Sequence, residues 1–72
     1  MKLNNYEKII YNGIVDVIIP TMSPGIYTAR DFFGTQPATP RIVRYLYEQT
    51  KAGNINHLSL VGTHSAEGYR IA

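Results

Sequence analysis

With no cysteine in its 72 residues, this chain has no covalent means of holding a fold together. A domain of this length sits near the lower limit at which apolar burial alone sustains a structure, and small domains commonly add disulfides or a structural metal. A thiolate zinc site is excluded outright. The two histidines, His57 and His64, cannot complete a tetrahedral site by themselves. Apolar contacts must therefore carry stability, within one chain or shared with a second copy. Charged residues make up 17% of the chain against the ~25% usual for soluble domains. That leaves an apolar surface or hides part of it in an oligomer.

The net charge of +2 permits nucleic-acid binding without requiring it, because clustering of the seven basic residues matters more than their sum. The longest apolar stretch, Ile14 to Ile19, is broken by Asp16 and is too short to span a bilayer. The N-terminal residues lack a signal peptide's order of charges, apolar run and cleavage site. These features predict a soluble, cytoplasmic (intracellular) protein with no membrane partner.

Proline and glycine punctuate the chain. "NNYEKIIYNGIVDVIIP" opens with a capping box, Asn4 and Glu7, and Pro20 closes it. At 100° per residue Tyr6, Ile10, Ile14 and Val17 fall on one side, while Ile9, Val15 and Ile19 lie away from that stripe. Such apolar width predicts either a central helix buried on several sides or a homodimer seam. Five of the six residues from Ile14 to Ile19 are β-branched, so an extended end to this segment is a second option. "TMSPG" is a turn, and "IY" makes one short strand. "TARDFFGT" reads as a short helix with Thr28 as cap, Asp31 in its first turn and Gly34 as its stop. After the connection "QPATP", Thr39 and Pro40 start the helix "PRIVRYLYEQTKA", which ends at Gly53. "INHLSLVGT" and "GYRIA" read as two strands around an exposed, mobile tip, "HSAE". The predicted fold class is α+β, a single domain over residues 1–72.

In the third helix, with Leu46 at the centre of the buried face, Ile42 and Thr50 fall roughly 40° away and Val43 and Gln49 roughly 60°. Arg41, Arg44, Glu48 and Lys51 point the opposite way, with Lys51 and Glu48 spaced as a solvent pair. An arginine in the first half of such a helix can pair with guanine O6 and N7 or clamp a phosphate. Thr39 and the free N–H groups of the first turn suit a phosphate as well. The reading depends on both guanidinium groups standing free on the outer side.

From about Ile26 to Ile71 the chain resembles a winged helix-turn-helix DNA-binding domain. The resemblance rests on "YTARDFFG" as the first helix of the motif, "TPRIVRYLYE" as the recognition helix, "KAGNI" as its exit and "LVGTHSAEGYRI" as the wing. It implies three helices, a C-terminal β-hairpin wing and a possible short strand before the second helix. It also implies sequence-specific binding of double-stranded DNA, with the helix from Pro40 in the major groove. Arg41 and Arg44 would read or clamp there, beside Tyr45 and Thr39. Thr28 and Arg30 would set register, and Thr63, His64 and Arg70 would serve the wing. Gln49 stands where the family usually places a leucine, which predicts altered packing of that helix. A chain consumed by such a domain leaves no room for a small-molecule effector pocket. It looks like the small transcriptional regulators of phages and mobile elements, acting as homodimers.

Enzymatic chemistry finds little support. The carboxylates lie in separate elements, no third metal ligand accompanies the histidines, and Ser65 beside His64 lacks an orienting acid. No phosphate-binding glycine loop is present, and no cofactor is expected. Two other functions fit the same pattern: a winged-helix protein-interaction module that never meets DNA, and an architectural factor in recombination or replication.

Overall fold

The first helix starts where its sequence provides a cap. The Asn4 Oδ1 accepts from the Glu7 N–H at 2.8 Å, and the Glu7 Oε1 accepts from the Asn4 N–H at 2.8 Å. The computed structural model describes residues 2–34, 39–62 and 68–72. Among them are three helices and a three-stranded antiparallel sheet. Helix α1 covers residues 5–21: an α segment Asn5–Gly13, a π-helical segment Ile14–Ile18 and a closing α turn Ile19–Thr21. Then come β1 (Gly25–Tyr27), α2 (Ala29–Phe33), α3 (Pro40–Lys51), β2 (Leu58–Leu60) and β3 (Tyr69–Ile71). No helix among the described residues is long and apolar enough to cross a membrane.

The π segment overturns the simple reading of α1. Its wider turn brings residues five apart into line, and the Ile19 N–H accordingly donates to the Ile14 carbonyl. Ile10, Ile14 and Ile19 therefore share the core, although a constant 100° step sets Ile19 apart. The same rotation turns Val17 outward, and Tyr6 and Ile9 are exposed with it. The β-branched run stays helical throughout. Pro20 does not end the helix at once, which continues to Thr21. A proline has no N–H for the α ladder, and the π register in the preceding turn has already altered that ladder.

The strand between the first two helices joins the sheet at its far end, giving the order β1-β3-β2. Tyr69 on β3 lies between Tyr27 and Leu60, and Ile71 lies between Gly25 and Leu58. Alternation along β3 buries Tyr69 and Ile71 and exposes Arg70. Phe32 and Phe33 of α2 both enter the core. The Phe32 ring lies 5.4 Å from Tyr69 and 6.0 Å from Tyr27. Strand β2 begins later than its sequence suggests, because His57 takes a left-handed φ of 63° that ends extended pairing. At Gly68, φ is 116° and an added Cβ would meet the Tyr27 carbonyl oxygen at 2.9 Å, so this position holds β1 and β3 together only as glycine.

Helix α3 follows its sequence closely. Ile42, Leu46 and Thr50 are buried, Val43 and Gln49 are half-buried, and the Thr50 hydroxyl donates to the Leu46 carbonyl at 2.7 Å. Its exit is a Schellman motif: the Gly53 N–H bonds the Thr50 carbonyl and the Asn54 N–H bonds the Gln49 carbonyl, with Gly53 at φ 77°. Gln49 takes part twice, since its Oε1 also accepts from the Asn54 side-chain amide at 2.8 Å. A leucine there cannot make that second bond.

Candidate functional site

Helix α3 presents the candidate site because its inner side is spent on the core. Thr39 caps it, its Oγ1 accepting from the Ile42 N–H at 3.4 Å, and Pro40 fills the first helical position. Arg41, Arg44 and Lys51 are exposed on the opposite side.

The two guanidinium groups are not free. The Arg41 Nε donates to the Glu7 Oε2 at 2.9 Å, and its Nη2 donates to the Lys2 carbonyl at 2.8 Å. A longer bond of 3.4 Å joins Nη2 to the Glu7 Oε1. The bond from Arg41 holds the Glu7 carboxyl below its ordinary value of 4.5, helped by the Asn4 N–H and opposed by burial. The same bond raises the Arg41 guanidinium further. Arg41 thus joins the start of α1 to the start of α3, although 56% of its side-chain surface remains open to solvent.

Arg44 differs. Its Nε meets the Glu48 Oε1 at 3.1 Å one turn along the same helix, and 71% of its side chain is exposed. Glu48 pairs with Arg44, where the spacing had suggested Lys51. The expectation of two unengaged guanidinium groups is therefore corrected: one is a link between helices, and the other is in a surface pair.

The remaining sequence candidates scatter. The Tyr45 ring packs edge-on against Tyr11 of α1, with centroids 4.9 Å apart and planes at 87°. Burial, then Tyr45, then Asp16 push the Tyr11 hydroxyl up to about 12. The Thr28 N–H and hydroxyl both donate to the Asp31 Oδ2, at 2.8 and 3.2 Å, so this threonine is occupied in starting α2. Arg30 is exposed on α2. Arg70 lies on the outer face of the sheet beside Ile26 and Ser59, turned away from the core. Neither arginine has an ion-pair partner among the described residues. Thr63 and His64, with the wing tip, lie outside the described residues, as does most of "QPATP".

Among the described residues no three His, Asp or Glu side chains come together as a metal site. A cleft of about 490 Å³ does open between the end of α1 and the end of the sheet, lined by Val15, Asp16, Ile19, Met22, His57 and Ile71 among others.

Glu7 is the residue that sequence reasoning missed. Its cap spacing gave it one partner, but nothing in the sequence pointed to Arg41, 34 positions away. Compared with protein-family models, curated proteins and solved structures, the chain matches none.

Proposed function

We propose that this chain is a winged helix-turn-helix domain that binds double-stranded DNA, with α3 in the major groove, and that it regulates transcription. The order of elements supports the fold: helix, strand, helix, helix, strand, strand, with the early strand paired to the last one. In this reading α2 and α3 are the helix-turn-helix pair, and the segment between β2 and β3 is the wing.

Neither α3 arginine is free, so the functional reading rests on Arg44 alone, which stands exposed in the first half of α3 and whose partner among the described residues is Glu48 of the same helix. A surface pair of this kind contributes about 0.3–0.5 kcal/mol, so exchanging Glu48 for a phosphate or a guanine edge costs little. Arg41 then acts as a positioning residue that sets the angle of α3 against α1. Arg30 contacts the DNA backbone beside the groove, and Arg70 serves the wing side.

Fluorescence anisotropy on random and genomic duplexes across a salt series tests this. Arg44→Ala is expected to weaken binding about tenfold and to lower the salt slope by about one counterion. Binding that ignores both salt and Arg44→Ala refutes the proposal.

A second reading is a protein-interaction module of the same fold. It is favoured by the carboxylate partners of both α3 arginines, which lower the net charge available to DNA. Absence of binding to any duplex at low salt, with a protein recovered on the α3 face, would support it.

A further inference from the structure

We propose that the outer face of α1 is the seat of a second copy of this chain, the two helices packing antiparallel about a two-fold axis at Gly13. Tyr6, Ile9 and Val17 are 64%, 72% and 63% exposed, an unusual concentration for a chain that must economise on apolar residues. They lie along one strip with Gly13, because the π segment swings Val17 into line with Ile9. A groove of about 290 Å³ runs beside the strip, lined by Ile9, Ile10, Gly13, Ile14, Val17 and Ile18. It offers holes for side chains of a facing helix.

Three observations point to a copy of the same chain as the occupant. Ile9 and Val17 are each four residues from Gly13, so reversing one helix sets Ile9 of each copy over Val17 of the other, as an isologous interface requires. An added Cβ at Gly13 would meet nothing within 4 Å, so the protein's own packing does not demand glycine at this helical position. A facing backbone at close approach does. Lys8 and Asp16 are exposed, lie on opposite sides of Gly13, and have no ion-pair partners among the described residues. Antiparallel packing brings the Lys8 end of one copy to the Asp16 end of the other, whereas parallel packing would align like charges. The exposed strip is on the order of the ~300–600 Å² that forms the largest apolar patch of an ordinary monomer, a patch that is often functional. Two such strips fall short of the ~1,200 Å² at which stable, specific interfaces begin and sit among weak, transient contacts. The dimer is accordingly a modest one that dissociates on dilution.

Sedimentation equilibrium from about 1 to about 200 µM, without DNA, measures it. The expected result is reversible association to twice the 8.1 kDa chain mass. Ile9→Glu with Val17→Glu is expected to leave the circular dichroism unchanged and to abolish association. Gly13→Leu is expected to melt no lower than the parent at dilutions where both are monomeric, yet to weaken the dimer at least tenfold. Because the chain has no cysteine, orientation can be read by cross-linking. Ile9→Cys mixed with Val17→Cys is expected to form the disulfide faster than Ile9→Cys alone. A monomer at every concentration, a dimer indifferent to the paired glutamates, or faster pairing of Ile9→Cys with itself would overturn the proposal. Each readout is independent of whether the protein binds DNA.

Discussion

Glu7 carries two obligations in one carboxylate: it closes the capping box of α1 and receives the Arg41 guanidinium. Its folded value lies below the ordinary 4.5, so the stability it contributes is present above that pH and is lost as pH falls through the depressed value. Glu7→Gln is therefore expected to melt below the parent at pH 7 and to converge with it as the pH is lowered through that depressed value, in thermal melts across an acid series. Tyr69 is the opposite case. Its hydroxyl is fully buried with no hydrogen-bond partner among the described residues, and burial, then Tyr47, push it up to about 12. Tyr69→Phe removes an unsatisfied polar atom and is expected to be neutral or to stabilise by up to about 1 kcal/mol in urea unfolding. A raised folded value means stability that is full below the ordinary 10 and declines as pH rises towards 12. The phenylalanine variant is expected to lose much of that alkaline decline, the rest belonging to Tyr11, which is raised in the same way.

At the scale of elements, the π segment decides which side of α1 is buried. A hydrogen bond that spans one residue more than in an α-helix keeps Ile14 and Ile19 in the core and sends Val17 out. A strict α-helix over the same residues would place Ile19 apart from Ile14. The sheet has its own critical contact at Gly68, where the backbone passes the Tyr27 carbonyl too closely for a side chain. Gly68→Ala combines that clash with an unfavourable φ. It is expected to cost at least about 2 kcal/mol in chemical denaturation and to loosen β1 first, seen as faster amide exchange at Tyr27. Helix α3 is the least surprising element, because its cap, its apolar stripe and its Schellman exit all agree.

For the whole molecule, the core draws on every element but β1, whose half-buried Tyr27 packs against it: isoleucines from α1, both phenylalanines of α2, Ile42 and Leu46 of α3, and the inward residues of β2 and β3. None of these elements has a core of its own, so unfolding is expected to be a single cooperative transition. If two chains share the α1 face, the melting temperature is expected to rise with protein concentration in calorimetry. Ile9→Glu with Val17→Glu should remove that dependence. The proposed DNA binding, in turn, rests on the assembled surface. Arg30, Arg44 and Arg70 come from α2, α3 and β3, and the tertiary arrangement determines whether one duplex meets them together.

What the sequence determined by itself was whatever a few neighbouring residues settle among themselves. The Asn4–Glu7 box, the Thr39–Pro40 start, the Gly53 exit, the brief strand at Ile26 and Tyr27 and the inward face of α3 all follow from caps, glycines and periodicity over a turn or two. The strand order, the rotation of α1 and the engagement of Arg41 by Glu7 were decided only in the tertiary structure. Each depends on groups far apart in the chain: a strand pairing that closes 44 residues after Ile26, at Arg70, and an ion pair across 34. Local pattern places an arginine on the outer face of a helix. Only the packing of another helix against that face determines whether a carboxylate reaches it first.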